Sequence, residues 1–297
     1  MSRADLKGGH SLHVHDDATL PTHCCFATLV LVCVRRGQLM QLKLKLISTD
    51  FDGTLFAEFE RPPIAPSVVS LIAGLQKRGV KWVINTGRDM SSLMESLARS
   101  NISIQPDYLV TVEREIYHHD GVRYVGDAKW NAACAHDHAE LFDEIRPEIP
   151  ALMNWVNSNF RATVYEDEHS PFCLIAVNNG DADVIHSRLN EFASRHPTLS
   201  VVRNDVYARF SHADYNKGTA LAELSRQLGV TADEVFAAGD HLNDLPMLEL
   251  KYARCLATPS NAVEPVKTVI REQGGFISTR ASGDGVAEGL EHYLRCS

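Results

Sequence analysis

The sequence predicts an α/β fold, a doubly wound parallel sheet that carries a separate, inserted α+β domain. Three observations point there. From residue 43 onward, short apolar runs alternate with stretches of helical periodicity, the pattern of repeated strand and helix units whose ligands gather at the carboxyl edge of the sheet. Two of the apolar runs lead directly into acids beside a glycine: Leu42 to Ile47 before Asp50-Phe51-Asp52-Gly53, and Val235 to Ala238 before Gly239-Asp240. Finally, Asp89 and Lys217 stand 128 positions apart, far more than one or two βα units need, so something is inserted between them.

Leu42 to Ile47 reads as the first buried strand. Pro66 opens a helix that presents Val69, Leu71, Ile72 and Leu75 and stops by Gly79, because proline suits the first helical turn and glycine the left-handed position beyond the end. Trp82 to Asn85 is a second strand, after which Asp89 N-caps a helix from Met90 to Ser100. Tyr108 to Thr111 is a third core strand, and Ile116 to Val125, with Asp120-Gly121 in its middle, reads as a β-hairpin. The insertion is expected to hold helices from Asn131 toward Ile145, around Ala151 to Phe160 and from Asp181 to Arg195. Its strands are expected near Ala162 to Tyr165, Phe172 to Val177 and Leu199 to Arg203. Asn216-Lys217-Gly218 then opens a helix that ends at Gly229, and another helix is expected through Met247 and Leu250. The expected division is 1–40 as an extension outside the main fold, 41–127 as the first part of the core, 128–210 as the insertion and 211–297 as the second part of the core.

The acids have a chemical logic. Residues i and i+2 of an extended segment project to the same side, so Asp50 and Asp52 can face one reaction centre just outside the strand end. Two anions so close repel, and a hard divalent cation with oxygen ligands relieves the repulsion while attracting a phosphate dianion. Thr86-Gly87 follows a strand and precedes a helix, where free N–H groups bind anionic oxygen. Asp240 stands after its strand as Asp50 does after the first, with Asn243 and Asp244 three and four residues on.

Taken in order, these four segments resemble the motifs of the haloacid dehalogenase (HAD) superfamily of phosphohydrolases, over about residues 43 to 295. The resemblance implies a Rossmann-like core and a Mg²⁺-dependent phosphatase that works through an aspartyl phosphate. It makes Asp50 the nucleophile and Asp52 the general acid. Thr86, Gly87, Lys217 and Asn243 become the phosphate-binding groups. Asp50, the Asp52 carbonyl and Asp240 become metal ligands, with Asp244 as a ligand or just behind them. An acid two residues after the nucleophile also argues against a dehalogenase, whose chemistry has no use for it. The place of the insertion resembles subfamily IIB, which includes Cof-type and sucrose-phosphate phosphatases and whose cap closes over the site. The implied substrate is a small phosphomonoester, a sugar phosphate or similar metabolite. Arg88, Glu113, Arg114 and Arg209 are possible substrate contacts, and Trp155, Arg161, His169 and Arg203 are further candidates from the cap. Where Cof-type relatives carry Asn-Gly after the third strand, this chain has Val112-Glu113-Arg114-Glu115, either a reader of the substrate or a solvated turn. A phosphotransferase or phosphomutase, or a non-catalytic binding protein, is the alternative on the same fold. Phosphomannomutases have a longer glycine-rich stretch in the fourth motif, which Gly239 to Asp244 lacks.

Composition is consistent with this. Of 297 residues, 44% are hydrophobic and 23% charged, and the net charge of −9 is spread without a basic cluster, so neither nucleic acid nor a membrane is an expected partner. The seven cysteines lack CxxC or metal-type spacing, which suits free thiols in a reducing, cytoplasmic setting. His10, His13 and His15 beside Asp16 and Asp17 are either a transition-metal site or surface histidines, and the apolar run Cys24 to Val34 is too short to span a bilayer. A monomer and a homodimer are both compatible with the sequence.

Overall fold

The structure, a computed structural model, describes residues 44–295. The expected extension, with its histidine cluster and its alternative as an edge strand at Cys25 to Val34, lies outside the described residues. So do Cys24, Cys25, Cys33 and Cys296.

The first part of the core runs β1 (Leu46–Thr49), α1 (Pro66–Gln76), β2 (Lys81–Asn85), α2 (Met90–Ser100), β3 (Tyr108–Thr111), β4 (Glu115–His119) and β5 (Tyr124–Gly126). The insertion follows as α3 (Ala128–Ile145), α4 (Ile149–Asn159), β6 (Ala162–Tyr165), β7 (Cys173–Ala176), α5 (Asn179–Ala193), β8 (Leu199–Asn204) and β9 (Tyr207–His212). The chain returns through α6 (Lys217–Leu228), β10 (Val235–Ala238), β11 (Cys255–Thr258), α7 (Glu264–Glu272), β12 (Phe276–Ile277) and α8 (Ser282–Arg295).

Among the described residues these strands make two sheets, of order β12-β11-β10-β1-β2-β3-β4-β5 and β6-β7-β9-β8. In the larger sheet every pairing from β12 to β3 is parallel, and the β4–β5 hairpin extends it antiparallel. β1 lies at its centre, with Leu46 opposite Val235 on one side and Lys81 on the other. All four of its residues are buried, as a strand covered on both faces must be. On one face Ile47, Trp82 and Ile84 pack with Val68, Ile72 and Leu75 of α1, Leu93 of α2 and Leu290 of α8. On the other, Leu46 and Val83 pack with Leu221 and Leu224 of α6 and Val266 and Ile270 of α7. Each such side chain, fully buried, contributes roughly 1.5–3 kcal/mol. The smaller sheet is antiparallel throughout and closes a core of its own, in which Leu174 and Phe210 meet Leu141, Val156 and Leu189 from its three helices.

Three local readings differ from expectation. β9 was not legible in sequence, yet it pairs with both β7 and β8 after a turn in which Asp205 takes φ 53°. α3 starts at Ala128, three residues before Asn131, because the Asp127 carboxylate caps Trp130 N. The helix expected through Met247 and Leu250 is a short 3₁₀ turn, Leu242–Met247, instead. Pro246 lacks the N–H that an α-helix would need there, and the Asp244 side chain takes the N–H groups of Asp240 and His241.

That turn packs against the start of α6 without room for a side chain. A Cβ on Gly218 would lie 2.1 Å from the Pro246 carbonyl oxygen, whereas one on Gly74, inside α1, would meet nothing within 4 Å. Gly218→Ala should therefore lower the melting temperature by several degrees, an overpacking cost of about 1–3 kcal/mol, and Gly74→Ala should leave it unchanged or raise it. Thermal unfolding followed by circular dichroism checks both, and equal effects would contradict the packing described.

Candidate active site

The three central strands β1, β2 and β10 end side by side, and the chain then delivers Asp50, Thr86 and Asp240 to one edge. Lys217 reaches the same place from the first position of α6. Asn216 caps that helix by accepting Gly218 N and Thr219 N, while the Thr219 hydroxyl accepts Asn216 N in return. The lysine is wholly buried, and its Nζ donates to Asp50 Oδ1 and to Asp244 Oδ1, each at 2.6 Å. Asp244 Oδ2 is taken by the Asp240 and His241 amides, so both of its oxygens are committed within the protein. Asp240 Oδ1 accepts the Thr54 hydroxyl at 2.7 Å.

One ammonium therefore faces three carboxylates. Burial, and next the charge of Asp244, pushes Asp50 well above the ordinary carboxylate range, with Lys217 opposing. The same two causes push Asp240 up to about 7. Burial works to lower the pKa of Lys217, but the charges of Asp244 and Asp50 outweigh it and hold the ammonium protonated. Asp50, Asp240 and Asp244 can each present an oxygen within 4.8 Å of the others. An all-oxygen donor set with two negative charges in excess of its lysine fits a hard divalent cation.

Asp52 lies nearer the surface. Arg88 grips it with two bonds, Nε to Oδ2 at 2.7 Å and Nη2 to Oδ1 at 2.6 Å. The Arg88 guanidinium is itself fixed by Ser92 and Ser96 and lies near the rings of Phe51 and Phe56. Above these groups is a cavity of about 210 Å³, lined from the core by Asp50, Asp52, Thr86, Gly87, Arg88, Glu113 and Asn243, and from the small sheet by Val202, Asn204, Tyr207 and Arg209.

Known proteins resemble this chain in sequence and in fold. Residues 43–158 match a family profile described as sucrose-6F-phosphate phosphohydrolase, and residues 156–290 match one described as haloacid dehalogenase-like hydrolase. The chain belongs to the haloacid dehalogenase superfamily. It is a phosphatase of the HAD type, and its inserted α+β domain is the cap. Among HAD relatives, the 5-amino-6-(5-phospho-D-ribitylamino)uracil phosphatase of Bacillus subtilis is 25% identical over 84% of this chain and 96% of its own length. A phosphoglycolate phosphatase of Methanothermobacter thermautotrophicus is 23% identical over 84% of this chain and 99% of its own. The sucrose-phosphatase of Synechocystis, solved with sucrose and phosphate, superposes with a TM-score of 0.64 at 18% identity, covering 84% and 98% of the two chains.

Of the residues expected at the HAD site, Asp50, Asp52, Thr86, Gly87, Arg88, Glu113, Arg209 and Asn243 line one cavity, and Asp240, Asp244 and Lys217 join them through Asp50. Arg114 does not line it, donating instead to the His169 carbonyl and the Ser211 hydroxyl. None of the other cap candidates lines it: Trp155 packs against Phe160, Arg203 bonds Asp183, His169 lies beside Glu168, and Arg161 is exposed. Val202, Asn204 and Tyr207 escaped the sequence reading. The signal was the alternation of Val202 with Asn204 and of Tyr207 with Arg209, which puts each pair on one face of its strand.

The crowded carboxylates make a stability prediction for the metal-free protein. Asp240 keeps its proton in the folded state up to about pH 7, whereas an unfolded aspartate loses it near pH 4, so between those values the folded chain holds more protons and stability falls as pH rises. In EDTA the melting temperature should drop from pH 5 to pH 8. Asp240→Asn should flatten that slope, and millimolar MgCl₂ should raise the wild-type value more at pH 8 than at pH 5. A metal-free melting temperature that rises over this range would contradict the charge balance described.

Proposed function

We propose that this protein is a Mg²⁺-dependent phosphatase that hydrolyses a small phosphomonoester, a sugar phosphate or similar metabolite, through an aspartyl phosphate on Asp50. The observation that carries the reading is the buried Lys217 ammonium fixed between Asp50 and Asp244 at the strand edge, with Asp52 two residues along and a cavity above both. Support comes from the family and from relatives that are phosphatases of small metabolites. The proposed setting is the cytoplasm: Cys134, Cys173 and Cys255 are free thiols, and no helix among the described residues is long and apolar enough to cross a membrane.

In this reading Asp50, the main-chain carbonyl of Asp52 and Asp240 would hold the cation, with Asp244 orienting them. The bound ion would supply charge neutralisation at the phosphoryl oxygens. The Asp50 carboxylate attacks phosphorus as the bond to the leaving oxygen breaks, and that oxygen takes a proton from Asp52. Asp52 then removes a proton from water, which attacks phosphorus in turn, frees Asp50 and yields inorganic phosphate. Lys217 keeps Asp50 aimed and balances charge on the equatorial oxygens. Thr86, the Gly87 amide and Asn243 bind the rest of the phosphoryl group. Arg88 grips Asp52 in its carboxylate form, so Asp52 takes up a proton from solvent as it leaves that grip and returns to it once the proton has passed to the leaving group.

Phosphate release from a panel of phosphate esters, with and without Mg²⁺, tests this directly. Asp50→Asn should reduce turnover by roughly 10⁴-fold or more, and retention of more than a trace would remove it as nucleophile. Asp52→Asn should cost about 10²–10⁴-fold on alkyl phosphates and far less on nitrophenyl phosphate, whose leaving group needs little protonation. Equal losses on the two would exclude the acid role.

A further inference from the structure

Val112 and Glu113 are consecutive non-glycine residues in the left-handed region, at φ 45° and 68°, and Val112 is β-branched. Such backbone persists only where the surroundings fix it, and it collects at functional sites. Here Val112 N donates to the Arg88 carbonyl and Glu113 N to the Thr86 carbonyl, which pins the turn to the end of β2. The result carries the Glu113 side chain into the cavity. Its Oε1 accepts Asn243 Nδ2 at 2.9 Å, and its Oε2 accepts Arg209 Nη2 at 3.3 Å. It also covers Gly87, where an added Cβ would lie 3.3 Å from Oε1.

We propose that Glu113 makes this site selective for phosphate esters whose leaving group is uncharged and hydroxylated, rejecting those that carry a carboxylate or a second phosphate. The inference rests on the phosphatase reading above. Its first ground is charge. Both arginines that line the cavity are already matched, Arg88 to Asp52 and Arg209 to Glu113, and Lys217 is buried behind Asp50. No lining cation among the described residues is left for an anion on the leaving group, and Glu113 repels one at short range.

The second ground is hydrogen bonding. Each Glu113 oxygen can accept a further donor, and Arg209 Nε and Asn243 Oδ1 are buried without a partner among the described residues. A hydroxyl, which donates and accepts at once, matches such a lining. Asn204 adds polar capacity, while Val202 and the Tyr207 ring offer an apolar wall to a carbon skeleton.

The test compares near-isosteric pairs that differ in one carboxylate: glycerol 3-phosphate against 3-phosphoglycerate, and glucitol 6-phosphate against 6-phosphogluconate. Values of kcat/KM are measured in Mg²⁺ for the full-length wild type, Glu113→Gln and Glu113→Gly. The glycine variant relieves the positive φ, so it keeps the test informative if glutamine disturbs folding. The wild type should prefer the neutral member of each pair by about tenfold or more, and both substitutions should shrink that preference by a similar factor. A preference unchanged by substitution, or no preference in the wild type, overturns the inference. A uniform rise or fall on all four esters overturns it too, because it marks competition for phosphate or a packing role. Absence of Asp50-dependent release from every ester in the broad panel would instead overturn the phosphatase reading beneath it.

Discussion

A lysine ammonium with no exposed surface, held between two carboxylates, is the constraint that organises this molecule. A buried charge is tolerable only when paired and hydrogen-bonded, and removing one partner of such a group commonly costs about 3–5 kcal/mol. The surrounding structure is shaped to keep the pairing. The Lys217 carbonyl accepts Asn85 Nδ2 from the end of β2, which ties the start of α6 to the central sheet. Gly239 must lack a side chain because a Cβ there would lie 2.5 Å from the Asp244 side chain. The ion cluster thus dictates a residue without a side chain at position 239 and the short 3₁₀ turn that carries Asp244.

Much of this was legible in the sequence for a physical reason. A buried parallel strand needs an apolar run, and the residues just past it sit at a shared edge, so Asp50, Thr86 and Asp240 could be placed together before any coordinates. What could not be read depended on register or on side-chain reach. Which faces of β8 and β9 look into the cavity follows from pairing Val202 with Arg209 and Asn204 with Tyr207, and a half-polar strand such as Tyr207–His212 does not announce itself. Arg88 was visible as a charge beside the Thr86-Gly87 turn, but not its two-pronged hold on Asp52. The residues 112 to 115 stood out by composition, while the backbone twist that aims Glu113 inward was invisible.

Polar bonds join cap to core close to the cavity. Arg209 Nη2 donates to the Val112 carbonyl at 2.6 Å, Arg114 reaches across to the His169 carbonyl, and Trp130 Nε1 donates to the Arg114 carbonyl. A cap that swung away would have to give up the first two of these bonds. The guanidinium that anchors Glu113 is also one that ties the cap to the core.

The central position of β1 also bears on how the chain reaches its fold. One of its neighbours, β2, is made soon after it, but the other, β10, emerges from the ribosome almost two hundred residues later, with the entire cap in between. Until then this wholly buried strand has one bare edge, open to pairing with another chain. The cap has an apolar cluster of its own and can condense early. Once compact, it brings its two ends together and shortens the loop whose closure sets β10 beside β1. Substitutions that loosen the cap core, far from the cavity, would then show themselves as low yield of soluble protein during synthesis before they show themselves in the kinetics of the purified enzyme.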